Sequence, residues 1–223
     1  MSLDGRRALV TGGNRGIGLE VVRQLRDLGA EVILGSRNVD AGERAAADVG
    51  NGVTFVQLDV VDPANVARAR DEVGAVDILI NNAAVYPRDD TDAAAVEEAW
   101  QTNYLGAWRV YQAFVGPMRH SGWGRIVNVS TGLAASAAER RGGGIYPETK
   151  VALSALTRAL AEELAGTGVL INAISPGWCR TDMGGGGASR SAAQGAASIV
   201  WGVTLVDDGP TGGFYYDGEP LPW

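Results

Sequence analysis

The sequence predicts an α/β fold, a doubly wound parallel sheet of about seven strands with helices on both faces. Three observations predict it. Short apolar runs rich in β-branched residues alternate with longer Ala-rich segments of helical period. That alternation repeats along most of the chain, as in a sheet covered on both sides. Runs such as Ile78-Leu79-Ile80 are apolar at successive positions, which suits strands buried on both faces.

Taken in order, the first strand is Arg7 to Thr11, closed by a glycine turn that opens a helix over Gly16 to Leu28. Strands follow at Glu31 to Gly35, Thr54 to Leu58, Asp77 to Ile80, Arg125 to Val129 and Val169 to Ile174. A short seventh is expected around Gly213 to Tyr216. Between them, apolar spacings of three and four predict helices over Ala41 to Val49, Pro63 to Val73, Ala93 to Met118 and Pro147 to Leu164. The Gly-rich stretches Gly142 to Gly144 and Gly184 to Gly187 read as loops, and there is no repeat of solenoid period.

With 223 residues, 46% of them hydrophobic and 20% charged, the chain suits one well-buried core and is short for two. Residues 1–223 are therefore expected to form a single domain, with substrate loops at about 131–145 and 178–195. No run of about 18 apolar residues and no signal-peptide pattern occurs, so no membrane span is expected and the cytoplasm is the expected location. The net charge of -7 and pI near 4.8 argue against a nucleic-acid partner, which requires clustered Lys and Arg. One cysteine, Cys179, excludes an internal disulfide; one histidine, His120, leaves no basis for a His-ligated metal or a Ser-His-Asp triad.

Thr11-Gly12-Gly13-Asn14-Arg15-Gly16-Ile17-Gly18 joins a strand to a helix, the context of a dinucleotide fingerprint in a Rossmann-type sheet. Glycines let the backbone approach a pyrophosphate, and the helix N-terminus favours its charge. At the end of the second strand, Gly35-Ser36-Arg37 stands where a carboxylate would bind the adenosine ribose hydroxyls. Arg37, joined by Arg15, can instead pair with a 2′-phosphate, which predicts NADP(H) in preference to NAD(H). The alternative is two solvated arginines, and Asp40 could blunt the preference.

Tyr146 and Lys150 stand four apart in Gly-Ile-Tyr-Pro-Glu-Thr-Lys, so they share a helix face. The ammonium is expected to favour the ionised phenol and lower its pKa from about 10 towards the range of a working acid or base. Ser130 ends an apolar strand sixteen residues earlier.

In the order Thr11 to Gly18, Asp59-Val60, Asn81-Asn82-Ala83-Ala84, Asn103, Ser130, Tyr146 with Lys150, and Pro176-Gly177 with Thr181, the chain resembles the short-chain dehydrogenase/reductase family in its compact one-domain form. Ser36 to Val39 and the C-terminal run Gly213 to Trp223 look most like carbonyl reductase and menthone-reductase-like members. The resemblance implies that Tyr146 gives a proton to a substrate carbonyl, Ser130 orients that oxygen, and Lys150 holds the nicotinamide ribose. It implies that Asn103 anchors a water that passes protons to Lys150; read by itself, Asn103 is an ordinary polar helix residue. Cofactor contacts would come from Gly12, Asn14, Arg15, Gly16, Ile17, Gly18, Arg37, Asp59, Val60, Asn81, Ala83, Pro176, Gly177 and Thr181, beside Tyr146 and Lys150. Asn81 could equally brace a strand, and Asp59 and Pro176 could equally serve turns.

Two departures stand out: Pro147 follows the tyrosine, and Ala84 ends the usual Asn-Asn-Ala-Gly. Pro147 is expected to start its helix and to leave Tyr146 extended. Candidate pocket walls are Leu133 to Ala137, Gly142 to Ile145, Tyr86, Trp178 and Met183, with Trp178, Met183 and Leu133 chosen as substrate contacts. Apolar walls suit a hydrophobic ketone or aldehyde. The short glycine-rich segment Gly184 to Ala193 suggests an open site, while Arg140, Arg141 and Arg180 read as solvated surface.

The expected activity is reversible NADPH-dependent reduction of a small-molecule carbonyl to an alcohol, in a homodimer or homotetramer. Two alternatives stay open: an NADPH-binding regulator with little turnover, and a reductase of acyl-carrier-bound 3-ketones.

Overall fold

In the computed structural model, which describes residues 2–135 and 144–222, the sheet has eight strands in the order β3-β2-β1-β4-β5-β6-β7-β8. These are β1 (Arg7–Thr11), β2 (Glu31–Ser36), β3 (Val53–Gln57), β4 (Ile78–Asn81), β5 (Gly124–Val129), β6 (Val169–Ser175), β7 (Phe214–Tyr216) and β8 (Glu219–Pro220). All neighbours pair in parallel except β7 with β8. The two-residue β8 was not expected. It folds back on β7 through Asp217, whose φ of 50° is in the left-handed region, and Gly218.

Successive strand residues feed opposite faces. Val10, Leu34, Ile78, Ile80 and Val127 pack with α1 (Gly16–Asp27), α2 (Val39–Val49) and α8 (Ala192–Trp201). Leu9, Ile33, Leu79 and Ile126 pack with α3 (Pro63–Val73), α5 (Ala107–Ser121) and α7 (Ile145–Glu163). The continuous apolar runs follow directly, because neither face of the central strands meets water.

Side chains set several helix starts. Asn38 accepts from the Ala41 N–H at 2.8 Å, so α2 begins two residues earlier than its apolar period suggests. Asp62 caps α3, with Pro63 at its first position, and Ser191 and Gln194 form a reciprocal capping box on α8, a helix the periodicity did not predict.

Two corrections concern the helices nearest the site. The segment expected as one helix, Ala93 to Met118, is α4 (Ala93–Trp100), a π-helical turn over Gln101–Gly106, then α5 running to Ser121. The wide turn rotates α5 relative to α4, and such turns recur at functional sites. Helix α7 starts at Ile145 and not at Pro147, so Tyr146 is helical. Pro147 still sits in the first turn, where its missing N–H leaves no helix bond unmade. The short α6 (Gly132–Ala135) follows β5, and no helix among the described residues is long and apolar enough to cross a membrane.

Candidate active site

A parallel sheet directs the loops after all its strands to one edge, and the strand order reverses between β1 and β4, where a crevice opens. Here it is a cleft of about 560 Å³. The β1 and β4 loops meet at its floor: the Thr11 hydroxyl accepts the N–H groups of Asn82 and Ala83, each at 3.0 Å, and Asn82 Nδ2 donates to the carbonyls of Thr11 and Gly12. Gly12 has φ +64° and a Cβ there would lie 3.0 Å from Ala83 Cα; a Cβ on Gly18 would overlap the Gly12 carbonyl. No larger side chain fits between these turns.

Gly12, Asn14, Arg15, Gly16, Ile17 and Gly18 all line the cleft. The first turn of α1 holds no acidic residue and Arg15 makes no side-chain cap, so its N–H groups and the helix dipole are available to an anion. This glycine-lined helix end fits the pyrophosphate of a dinucleotide. Arg37, Asp59, Val60 and Ala83 line the same cleft, as do Pro176 and Thr181.

Asn81 does not line it. Its amide donates to Asn128 Oδ1 at 2.8 Å, and Asn128 donates on to Thr157, a buried brace from β4 through β5 to α7. Asn82 is the residue of that pair on the cleft wall, with Ala84 and Val85 beyond it. Gly177 also lies off the wall: its φ is +74°, and a Cβ would press on Arg190 and Tyr216.

Both arginines chosen for a 2′-phosphate carry partners that the sequence reading missed. Arg15 pairs with Asp182 at 2.9 Å, and Arg37 lies 3.8 Å from Glu98. These exposed pairs are weak, but they place two carboxylates beside the cations.

Ser130, Tyr146 and Lys150 come together at the other end of the cleft, where β5 ends and α7 begins. Ser130 is buried, and its hydroxyl shares a 3.0 Å hydrogen bond with Ser154, one helical turn beyond Lys150. Lys150 is 1% exposed and donates to the Val129 carbonyl at 2.8 Å. Its Nζ stands 5.9 Å from the centroid of the Tyr146 ring.

The expected lowering of the Tyr146 pKa is corrected in this geometry. Burial pushes the phenol up to about 12, with the neighbouring Tyr86 adding to it, and burial brings the Lys150 ammonium down from 10.5 to about 7. Desolvation acts against both charged forms and outweighs their attraction, because the ammonium is directed at Val129.

Asn103 lies on the π-helical turn, off the cleft wall. Its side chain accepts from the Val85 N–H at 2.8 Å and donates to the Val85 carbonyl and to Thr149 Oγ1, each at 3.0 Å. Thr149 donates in turn to the Tyr146 carbonyl. The side chain is therefore spent on tying the β4 loop to the start of α7, a link that spacing alone could not reveal.

Among the substrate candidates, Met183 lines the cleft and is 48% exposed. Trp178 is 60% exposed, off the cleft wall, and donates from Nε1 to the Gly184 carbonyl. Leu133 is half-buried in α6 and also off the wall. Tyr86 packs on Tyr146 with ring centroids 4.8 Å apart. Residues 136–143, which include Ala137, Arg140, Arg141 and Gly142 of the proposed walls and loop, lie outside the described residues.

A family model for the short chain dehydrogenases matches residues 6–191. The chain belongs to that family. Short-chain dehydrogenases are oxidoreductases that use nicotinamide cofactors, and the cradle of Gly12, Gly18 and the α1 N-terminus fits such a group. The chain is 32% identical to a carbonyl reductase (NADPH) 1 of Sus scrofa over 279 aligned positions, covering all of this chain and 96% of that one. It is 34% identical to a 3-oxoacyl-acyl-carrier-protein reductase of Vibrio cholerae, covering 82% and 77%. A solved short-chain dehydrogenase superposes with a TM-score of 0.87 at 36% identity, covering 97% of each chain. Salutaridine reductase from Papaver somniferum superposes at 0.83 with 26% identity, covering 95% and 99%.

Proposed function

We propose that the protein is an NADPH-dependent reductase of hydrophobic ketones or aldehydes, run in reverse as an alcohol dehydrogenase. The observation that carries this reading is the convergence of Ser130, Tyr146 and Lys150 at one end of a cleft whose other end holds Arg37. The similarity to carbonyl reductase supports it. Bound NADPH supplies the hydride that reduces the carbonyl carbon. Tyr146 keeps its proton at neutral pH and gives it to the carbonyl oxygen. Ser130, held by Ser154, turns its hydroxyl to the same oxygen. Lys150, titrating near neutrality, holds the cofactor ribose and restores the tyrosine's proton. Tyr86 and Met183 give the substrate an apolar rim. Exposed Trp108 on α5 and Val151 on α7 supply the contact between copies in a dimer or tetramer.

The test follows the loss of NADPH absorbance over aryl ketones, cyclic terpenoid ketones, keto esters and aldehydes, with an acetoacetyl thioester included. Turnover of the apolar ketones above the thioester is expected. A clear preference for the thioester moves the assignment to carrier-bound substrates, and NADPH binding without any turnover favours a regulator.

Cofactor choice carries its own prediction. Glu98 and Asp182 compete with a 2′-phosphate for Arg37 and Arg15. Glu98→Gln and Asp182→Asn are each expected to tighten NADPH by about 2–5-fold, the scale of an exposed ion pair, and to leave NADH unchanged. Fluorescence titration of both nucleotides reads this out, and equal gains for the two would remove the 2′-phosphate from the explanation.

A further inference from the structure

The chain beyond β6 makes an excursion whose two ends are bonded to each other. The Arg190 N–H donates to the Trp178 carbonyl at 3.1 Å, and the Arg180 N–H to the Arg190 carbonyl at 2.8 Å. Within it, the Gly185 N–H donates to the Thr181 carbonyl, Trp178 Nε1 to the Gly184 carbonyl, and the Arg180 guanidinium to the Ala188 carbonyl. Residues 178–190 are thus a compact loop with close ends, held by its own bonds. Thr181, Asp182 and Met183 of this loop line the cleft.

A loop bonded to itself must still be fixed against the rest of the protein, and Arg190 makes the strongest such tie. Its guanidinium, 16% exposed, bonds both oxygens of the Asp217 carboxylate, and it also reaches the Tyr216 hydroxyl and the Gln194 carbonyl. A fork-to-carboxylate pair of this kind fixes direction as well as distance. The stem of Arg190 crosses Gly177, where a Cβ would lie 2.7 Å from Arg190 Cδ. Asp217 stands at φ 50°, in the left-handed region, and its N–H donates to Ser198 Oγ at 2.9 Å, so the turn between β7 and β8 is itself anchored on α8. By comparison, the pair that Asp182 of the loop makes with Arg15 is 72% and 80% exposed and therefore weak.

We propose that Arg190 is a positioning residue: by gripping the β7–β8 turn it sets where residues 178–190 lie over the cleft, and so how tightly the ketone binds. The inference rests on the reading that the cleft reduces ketones. Arg190, Tyr216 and Asp217 lie off the cleft wall, so the effect passes through Met183 and Thr181. Ser130, Tyr146 and Lys150 stand at the end of β5 and on α7, outside the loop, so the chemical step is left in place.

The experiment combines steady-state reduction of an aryl ketone at saturating NADPH with hydrogen–deuterium exchange of the nucleotide-free protein, for wild type, Arg190→Met, Arg190→Lys and Asp217→Asn. Asn tolerates the left-handed turn and removes only the charge. Arg190→Met is expected to raise KM for the ketone by about tenfold, the scale of one charge-assisted hydrogen bond, with kcat within about threefold of wild type. Arg190→Lys should resemble it, because an ammonium cannot reproduce the fork. Asp217→Asn should raise KM in the same direction, and the double variant should add little to Arg190→Met. Exchange should rise in residues 178–190 and stay unchanged in β1, β4 and β5. Unchanged KM overturns the proposal, as does a fall in kcat alone, or faster exchange throughout the sheet, which would make Arg190 a general stabiliser. Wild type without ketone turnover would overturn the reductase reading, and exchange in residues 178–190 would then decide the grip by itself: unchanged exchange in Arg190→Met overturns it.

Discussion

Replacing Tyr146 with Phe is expected to lower kcat for ketone reduction by about 10²–10⁴-fold, the usual contribution of a positioned proton donor, with little change in NADPH affinity. The ring remains, so its packing on Tyr86 at 4.8 Å is kept and only the acid is removed. The phenol lines the cleft with Ser130, and burial keeps it protonated well above neutrality. The direction of its shift also fixes the pH behaviour. Reduction needs the neutral phenol, so it should run undiminished by tyrosine ionisation through neutral pH, whereas alcohol oxidation needs the ionised form and should accelerate as pH rises. Steady-state kinetics of both directions across pH, with a fluorescence titration of NADPH, separate these effects. A Tyr146→Phe protein with wild-type kcat would remove the residue from the chemistry; one that no longer binds NADPH would make it a cofactor support.

The residues that announced this cleft did so because they stand in short, local patterns. A glycine turn between a strand and a helix, or a Tyr four residues before a Lys, is a local arrangement, and local arrangements are written in sequence. The alternation of strand and helix placed the first six strands to within a residue or two and sent the loops after them to one edge. What stayed hidden was set by tertiary packing. Helical periodicity from Ala93 onward reads the same whether or not one turn is wide, so the π-helical turn and the place of Thr102 along the cleft were invisible. Arg15 meets Asp182 across 167 positions, which no window of sequence can show. Helix α8 is a different case: Ser191 and Gln194 wrote a capping box into the sequence, and the glycines before it drew the segment into a loop. For Tyr146 and Lys150 the spacing was legible and the sign of the shift was not, since desolvation enters only when burial is known.

Lys150→Met is expected to move activity and stability in opposite directions. Loss of the ammonium should lower kcat/KM by on the order of 10²-fold or more, because cofactor binding and proton return both depend on it in the proposed mechanism. The free protein, by contrast, should become more stable at neutral pH. Lys150 is 1% exposed and its ammonium donates to the Val129 carbonyl, so among the described residues no negative charge is bonded to its buried cation. Its folded pKa is near 7 against 10.5 for an ordinary lysine. Between those values the unfolded chain binds the proton and the folded chain does not, so wild-type stability rises with pH from about 7 to 10.5 and carries the full penalty below that window. Methionine has a similar shape without a charge. At pH 7 the variant should melt roughly 2–8 °C higher, on the order of 1–2 kcal/mol for a chain of this size, and the gap should close as pH approaches 10.5. Thermal denaturation of both proteins without nucleotide across that range measures it. A gap that does not change with pH would mean that packing and not the buried charge sets the difference, whereas a closing gap would show the active site held at the expense of stability by a cation the cofactor is needed to satisfy.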